Sequence, residues 1–222
     1  DKPIAKTLLE KAGVSSPSSI ALPHSTFREL GAGPVLDAVV AQLGLPLIVK
    51  PTKGGSALGA SVVHSSAELP SAMVGAFAYN DVALMEQLIT GIEVAVCVYE
   101  SDGEPISLPA VEIVPPDGIY DYSARYTAGV TEFFIPARLP KPVLDACTGV
   151  ALTAHAVLGL RDWSRTDLMV DAQGHPWFLE VNAAPGMTET SLFPQALSAA
   201  GMSLGDLTGR LIRDATSRGS ND

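Results

Sequence analysis

Residues Pro176–Thr188 read Pro-Trp-Phe-Leu-Glu-Val-Asn-Ala-Ala-Pro-Gly-Met-Thr and are the most informative stretch of the chain. The first half has the apolar character of a β-strand, and the Pro185-Gly186 pair ends it in a turn. Because successive side chains of a strand point to opposite faces, we expect Glu180 and Asn182 to share one face. An acid and an amide on the same face favour a polar site over a core.

A second strand is predicted just upstream, over residues 165–170, with a four-residue hairpin loop between the two. If Val170 pairs with His175, residue 167 lies opposite residue 178. Asp167 then shares the face of the acid and the amide. This pairing predicts a hairpin with three oxygen-bearing side chains on one side.

Asp167, Glu180 and Asn182 together suit a hard cation. Mg²⁺ prefers oxygen ligands, keeps several waters, and typically uses one or two carboxylates beside substrate phosphates. The alternative is a hairpin whose acids are exposed to solvent, because apolar residues cover the opposite face. The pattern therefore predicts a metal site but leaves this simpler structure open.

The composition limits the class of protein. The chain has 222 residues, 47% of them hydrophobic, which fits one large or two small globular domains. The formal net charge of −10 disfavours nonspecific binding to nucleic acid or anionic membranes, so neither is an expected partner. Cys97 and Cys147 are predicted to be buried free thiols, as in a reducing cytoplasm.

Hydrophobic periodicity and turn residues predict an α+β protein. Helices are predicted over residues 2–12, 35–43, 68–78, 142–158, 191–199 and 203–215. Strands are predicted over residues 20–22, 46–51, 60–63, 82–86 and 92–100, followed by the hairpin. Residues 115–136 are predicted to be rich in loops and aromatic residues. In the first helix, Ile4, Leu8 and Ala12 form an apolar stripe.

A cation precedes a glycine-rich loop in the first half of the chain. Lys50 ends an apolar strand, and residues 53–59 read Lys-Gly-Gly-Ser-Ala-Leu-Gly. Glycines let a backbone approach phosphates and present N–H donors, so a neighbouring cation indicates a nucleotide triphosphate site. The spacing is not that of a P-loop. The alternative is a hairpin with a mobile glycine loop.

Glu86 and Glu93 stand at the ends of apolar strands. Carboxylates in such positions are uncommon unless they are paired. They could accept hydrogen bonds from the ribose hydroxyls or the amino group of a ligand. As surface acids they would have no role.

Together these segments resemble the ATP-grasp ligases of the D-alanine–D-alanine ligase group. The resemblance runs essentially end to end, and its most specific part is Glu-x-Asn-x-x-Pro-Gly-Met-Thr beside Arg-x-Asp. The matching segments are Asp1-Lys2, Leu47–Pro51, Gly55–Gly59, Met85-Glu86, Glu93, Tyr120–Tyr122, Arg125-Tyr126, Arg165–Asp167, Leu179–Asn182 and Pro185–Thr188.

The resemblance implies an ATP-grasp fold with the nucleotide between a central subdomain, residues 1–91, and a C-terminal subdomain, residues 92–222. It implies that Lys50 binds the α- and β-phosphates and that the loop closes over the γ-phosphate. Adenine would lie near residues 86–89 and the ribose at Glu93. The implied ATP-binding residues are Lys50, Gly55, Ser56, Gly59, Glu86, Gln87, Ile89, Glu93 and Arg125.

The resemblance also implies a metal site and an amino-acid site. Asp167, Glu180 and Asn182 would hold two Mg²⁺ ions, with Mn²⁺ as an alternative. Arg165 would stabilise an acyl phosphate and the tetrahedral intermediate that follows. The implied catalytic residues are Arg165, Ser56 and Tyr126, and the implied substrate residues are Tyr126, Arg165, Asn182, Gly186, Ser191 and Leu192.

The implied activity is the ATP-dependent joining of two D-alanines through an acyl phosphate, for peptidoglycan precursors in the cytoplasm. The implied partners are ATP, D-amino acids and, in the full-length form, a second copy. Three residues depart from the family pattern: Ala57 where serine is usual, Arg125 where lysine is usual, and Ala183 where threonine is frequent. We also expect that the chain lacks the family's N-terminal domain, which supplies part of the first amino-acid site.

Two other functions fit the same residues. One is an ATP-grasp ligase for another amino acid or a peptide-like product, which Ala57 and Ala183 favour slightly. The other is a nucleotide-binding fragment without full ligase activity. Retained ATP binding without amino-acid-dependent turnover would select the last.

Overall fold

The chain forms two compact units in a computed structural model that describes residues 1–55, 57–116, 127 and 129–218. The first unit contains the described parts of residues 1–7, 16–90 and 115–131, and the second those of residues 8–15, 91–114 and 132–222. Both units contain helices and antiparallel strands, which confirms the α+β class.

Among its described residues, the first unit contains four strands, three helices and the start of a fourth helix. The strands are β1 (Ser19–Pro23), β2 (Leu47–Pro51), β3 (Ser61–Val63) and β4 (Val82–Gln87). The helices are α1 (Lys2–Lys11), which continues into the second unit, α2 (His24–Leu30), α3 (Ala32–Leu43) and α4 (Leu69–Phe77), with a 3-10 turn at Ser66–Glu68. The short helix α2 was not predicted.

The first unit is built on an antiparallel sheet with strand order β1-β4-β2-β3. One sheet face packs against α3 and α4 through buried apolar side chains such as Val39, Val49 and Met73. On the other face, Lys50 and Glu86 lie on neighbouring strands, because Glu86 pairs with Ile48 and side chains two residues apart share a face. The sheet therefore separates a dry core from a charged face.

The second unit contains six strands and three complete helices among its described residues. The strands are β5 (Ile92–Ser101), β6 (Glu104–Ser107), β7 (Val111–Val114), β8 (Glu132–Phe134), β9 (Trp163–Val170) and β10 (Pro176–Asn182). The helices are α5 (Lys141–Val157), α6 (Leu192–Ala199) and α7 (Leu204–Ser217). Strand β8 lies near the end of the segment 115–136, which is predicted to be rich in loops, and it pairs with β7.

The second sheet has the order β10-β9-β5-β7-β8, with β6 paired to the end of β5. Strand β5 is central, and residues Val94–Tyr99 are all buried, so both sheet faces are covered along this strand. The helix α5 covers one face, where His155 Nδ1 lies 2.8 Å from Ser164 Oγ. Both cysteines are free and buried, as predicted.

The predicted register of the β9–β10 hairpin was wrong. Val170 pairs with Pro176, not His175, and the ladder shifts between Phe178 and Glu180. Phe178 pairs with Leu168, and Glu180 pairs with Asp167. Strand β10 therefore advances by two residues where β9 advances by one, which is a β-bulge. The physical reason is burial: a regular strand would put Phe178 on the face of Glu180, whereas the bulge places its fully buried ring on the core face.

The apolar stripe predicted for α1 is not its buried face. Ile4 and Leu8 are 60% and 40% exposed, whereas Lys6 and Leu9 are buried. Charge pairing outweighs periodicity here, because Lys6 contacts a buried carboxylate described below. No helix among the described residues has the length and apolar character needed to cross a membrane.

The first testable prediction concerns the effect of Thr166, on β9, on stability. Its side chain is fully buried, and its hydroxyl has no hydrogen-bond partner among the described residues. Thr166→Val should raise the free energy of unfolding by about 1 kcal/mol, because it removes an unsatisfied buried polar group at nearly constant volume. Urea unfolding measures this change. Thr166→Ser, which keeps the hydroxyl and removes a methyl group, should be destabilising, and a less stable valine variant would contradict the interpretation.

Candidate functional site

The charged face of the first unit holds a buried cluster of two lysines and one glutamate. Glu86 on β4 is 1% exposed. Its Oε1 accepts a hydrogen bond from Lys50 Nζ on β2, and its Oε2 lies 2.9 Å from Lys6 Nζ on α1. We call Lys6, Lys50 and Glu86 the lysine cluster. It places the predicted phosphate-binding lysine beside the predicted adenine-binding glutamate.

Burial on its own would raise the pKa of Glu86. The charges of Lys50 and then Lys6 outweigh burial and hold that pKa below its usual range. Glu86 is therefore a carboxylate at neutral pH, and the cluster contains two cations and one anion.

The start of the glycine loop is held by α1. Lys2 Nζ donates a hydrogen bond of 3.1 Å to the Gly54 carbonyl, and the Lys2 backbone N–H donates to the Thr52 carbonyl at 3.1 Å. Thr52 is itself buried, and its hydroxyl donates to Asn80 at 2.8 Å. These hydrogen bonds fix the end of β2, which carries Lys50, at the point where the glycine loop begins.

Gly59 ends the loop at a position that no other residue would fit well. Its φ angle is +71°, and an added Cβ would lie 2.6 Å from Tyr79 Cδ2 and 3.0 Å from the Gly75 carbonyl oxygen. Both the left-handed backbone and the close approach require glycine. In contrast, a Cβ added at Gly55 would have no atom of the described residues within 4 Å.

The remaining predicted nucleotide residues of the first unit have different surroundings. Gln87 Nε2 donates a hydrogen bond of 2.9 Å to the Leu43 carbonyl at the end of α3. Ile89 is half-buried between β4 and β5 in the sequence. Ser56, Arg125 and Tyr126 lie outside the described residues.

The second unit brings a set of predicted site residues onto one sheet face. Glu180 pairs with Asp167 and Asn182 pairs with Arg165. Paired residues of antiparallel strands share a face, so all four side chains lie on the same side. Glu93 on β5 pairs with Met169 and belongs to this face too. We call Arg165, Asp167, Glu180 and Asn182 the β9–β10 cluster.

Arg165 and Asp167 form a bidentate ion pair that is largely buried. Arg165 Nε donates to Asp167 Oδ1 at 2.7 Å, and its Nη2 donates to Oδ2 at 2.8 Å. Burial opposes the charge of Arg165, but the Asp167 carboxylate raises the pKa of the guanidinium. The nearby Cys97 thiol has its pKa raised by burial, so it is an inert core group.

The oxygen atoms of the β9–β10 cluster retain capacity for a cation. The guanidinium uses one lone-pair position on each Asp167 oxygen, and a carboxylate offers about four. Asn182 Nδ2 lies 3.3 Å from Asp167 Oδ2, which leaves its amide oxygen for another partner. Within the described part of the chain, no group of three or more His, Cys, Asp or Glu residues could hold a metal. Any cation here would depend on two carboxylates and the amide.

The predicted amino-acid residues follow the β9–β10 hairpin. Ser191 precedes α6, and its Oγ accepts from the Thr188 backbone N–H at 3.2 Å and lies 2.8 Å from Thr188 Oγ1. An added Cβ at Gly186 would lie 2.6 Å from the same Oγ, so the turn packs closely on this hydroxyl. Leu192 is buried in the core, which leaves only its backbone for a ligand.

Lys2 and Lys6 were missed by the sequence analysis as members of the site. Both lie on the inner side of α1, together with the buried Leu9. The available signal was their spacing: positions 2, 6 and 9 follow the i, i+4, i+7 pattern of one helix face. A search for apolar periodicity does not detect this face, because two of its three residues are charged.

Comparison with known proteins gives a consistent result. The model of the D-ala D-ala ligase C-terminus family matches residues 8–213. The D-alanine–D-alanine ligase of Pelotomaculum thermopropionicum is 38% identical over 212 residues, which are 96% of this chain and 66% of that protein. The ligase of Bordetella avium is 40% identical over 195 residues, or 88% of this chain and 62% of that protein.

Solved structures agree with these sequence relatives. The VanG D-Ala:D-Ser ligase from Enterococcus faecalis superposes with a TM-score of 0.83 at 31% identity, covering 96% of this chain and 60% of that one. A D-alanine–D-alanine ligase from Bacillus anthracis gives 0.78 at 30% identity, covering 96% and 66%.

The chain spans less than two thirds of the length of these relatives. Within that span, the two antiparallel sheets, the β9–β10 cluster and the matched residues 8–213 point to one assignment. The chain has the ATP-grasp fold and belongs to the D-ala D-ala ligase C-terminus family.

Proposed function

We propose that this chain binds ATP together with Mg²⁺. The observation that carries the proposal is the β9–β10 cluster, where two carboxylates and an amide share a face with a buried arginine. A bound Mg²⁺ ion needs oxygen ligands, and the phosphate groups of ATP need fixed positive charges nearby. A relative from Bacillus anthracis with a TM-score of 0.71 was solved in complex with ATP, which supports the same ligand here.

Asp167, Glu180 and Asn182 are the residues that would hold the metal. When bound, Mg²⁺ supplies charge neutralisation on phosphoryl oxygens. Arg165 is held in one orientation by its bidentate pair, so it can present a fixed positive charge where negative charge develops. Lys50 and the loop that ends at Gly59 supply the cation and the close backbone approach that phosphates require.

The reaction that we propose for this protein is carboxylate–amine ligation. A D-alanine carboxylate attacks the γ-phosphorus of ATP, and ADP leaves as an acyl phosphate forms. The amine of a second D-alanine then displaces phosphate at the carbonyl carbon, and the amide bond results. The D-alanine–D-alanine ligases among the relatives support these substrates, and the product would serve peptidoglycan synthesis.

A second candidate function is the joining of D-alanine to a different amino acid. The specific observation is the D-Ala:D-Ser ligase from Enterococcus faecalis, whose structure matches this chain with a TM-score of 0.83. Phosphate release, measured with D-alanine alone and with D-alanine plus each member of an amino-acid panel, separates the two candidates. Faster release with D-serine would select the second.

We predict that Glu180→Gln removes the Mg²⁺-dependent part of ATP affinity. An amide keeps the size of the side chain but is a neutral and weaker ligand for a hard cation. Isothermal calorimetry of the wild type should show tighter ATP binding with Mg²⁺ than without it, and the variant should show equal affinity under both conditions.

Asp145→Asn is the matched control for Glu180→Gln. Asp145 lies on the exposed surface of α5 in the same unit, where its side chain is 61% exposed and pairs with Lys141. The Asp145→Asn substitution should leave Mg²⁺-dependent ATP binding unchanged. A Glu180→Gln variant that binds Mg²⁺ and ATP like the wild type would contradict the proposed metal site.

A further inference from the structure

Lys6 is a buried lysine that no part of the proposed reaction uses. It lies on α1, it is 2% exposed, and its Nζ is 2.9 Å from Glu86 Oε2. Lysines are almost never fully buried unless they are paired, because desolvation of the ammonium group is costly. The position therefore needs a reason beyond the packing of α1.

The charges of the lysine cluster supply that reason. Glu86 contacts Lys50 through one oxygen and Lys6 through the other. Two ammonium groups and one carboxylate leave a single net positive charge. Without Lys6, the carboxylate of Glu86 would cancel the charge of Lys50, and the cluster would be neutral.

We propose that Lys6 is a positioning residue that neutralises Glu86 and thereby keeps the charge of Lys50 available to phosphates. This inference rests on the proposed binding of ATP and adds a role for a residue that does not itself contact the ligand. Lys50 is 12% exposed at its side chain, against 3% for Lys6, so Lys50 is the member that a ligand can reach.

The ionisation of Glu86 supports the charge count. Burial would raise the pKa of this carboxyl, and the charges of Lys50 and Lys6 overcome that effect and lower it. Glu86 therefore carries its negative charge at neutral pH. Lys6→Met would leave that charge opposed by Lys50 alone.

The alternative is that Lys6 only pins α1 to β4. The two roles predict different orders of phosphate affinity across four proteins. If charge balance matters, affinity follows the net charge of the cluster: Glu86→Gln highest, the wild type and Lys6→Met/Glu86→Gln alike, and Lys6→Met lowest. If Lys6 only pins the helix, both variants that lack Lys6 lose affinity together.

The experiment is calorimetry with inorganic tripolyphosphate, which has no adenine and so reports on the phosphate contacts alone. Lys6→Met should bind tripolyphosphate about tenfold more weakly than the wild type, by loss of one unit charge near the site. Lys6→Arg should bind within about threefold of the wild type, because it keeps the charge. Lys11→Met, on the exposed last turn of α1, is the matched control and should bind like the wild type.

Each outcome decides the proposal. Lys6→Met with wild-type affinity, or a double variant no better than Lys6→Met, overturns it. If Lys6→Met does not fold, the double variant should still bind tripolyphosphate like the wild type, and a double variant that binds more weakly than the wild type would overturn the proposal. A wild type that binds neither ATP nor tripolyphosphate overturns the proposed function as well, so the two failures are distinguishable.

Discussion

Arg165→Met is expected to lower the free energy of unfolding by about 3–5 kcal/mol, the usual effect of breaking a buried ion pair. The side chains of Arg165 and Asp167 are 11% and 4% exposed, and two hydrogen bonds of 2.7 and 2.8 Å join them. Methionine fills much of the arginine volume but leaves the Asp167 carboxylate buried without its cation. In a chain of this size the melting temperature should fall by roughly 2–4 °C per kcal/mol.

A double variant tests the cause of this loss. Arg165→Met/Asp167→Leu removes both charges, and replacing a whole buried pair by apolar residues is often neutral or stabilising. The double variant should therefore regain at least about half of the stability lost by Arg165→Met, as urea unfolding would measure. If the losses at the two positions simply add, the unpaired charge of Asp167 is not the cause of the lost stability.

Lys141→Met provides the matched control for the arginine variant. Lys141 and Asp145 form an ion pair at 2.8 Å on α5, but their side chains are 81% and 61% exposed. Solvent screens such a pair, so its loss should change the free energy of unfolding by less than about 0.5 kcal/mol. The expected contrast between the two variants tests the effect of burial, since both remove one cation from a carboxylate.

Gly91→Ala is expected to be the most damaging single-methyl change in the described chain, with a loss of about 3 kcal/mol or more. A Cβ at this position would lie 2.0 Å from the Val170 carbonyl oxygen and 2.7 Å from its carbonyl carbon. Both atoms are backbone at the end of β9, where Val170 pairs with Ile92, so they cannot move aside without breaking the ladder. Thermal unfolding and urea unfolding both measure the effect.

Gly149→Ala is the control for the added methyl group. Gly149 lies exposed within α5, and an added Cβ meets nothing within 4 Å. Alanine there should raise the free energy of unfolding by about 0.5–1 kcal/mol, because glycine inside a helix is entropically unfavourable. The two substitutions should change the free energy of unfolding in opposite directions. A Gly91→Ala variant as stable as the wild type would show that residue 91 and Val170 can move apart.

Local features of the fold could be predicted because neighbours in the chain determine them. Alternation along a strand placed Glu180 and Asn182 on one face, and the structure confirms it. The helix predicted over residues 203–215 is a second case: the structure has α7 at Leu204–Ser217, and Ser203 Oγ accepts a hydrogen bond of 3.0 Å from the Asp206 backbone N–H. Each interaction spans only two or three residues, so no knowledge of distant segments is needed.

The register of the β9–β10 hairpin could not be predicted, because a distant core decides it. Within the hairpin sequence, a regular ladder and a bulged ladder are both possible. Burial of the Phe178 side chain requires one extra residue before Glu180, and this same shift brings Glu180 directly opposite Asp167. The core therefore set the geometry of the polar face.

The fold class, the polar hairpin and the order of the site motifs were predictable, since they depend on residue type and short spacing. The buried side of α1, in contrast, depends on contacts with residues that are distant in the chain. Periodicity favoured Ile4 and Leu8, yet Lys6 is inside because Glu86, far along the chain, offers it a carboxylate. A buried ammonium is stable only next to a buried anion, and the fold alone brings the two together.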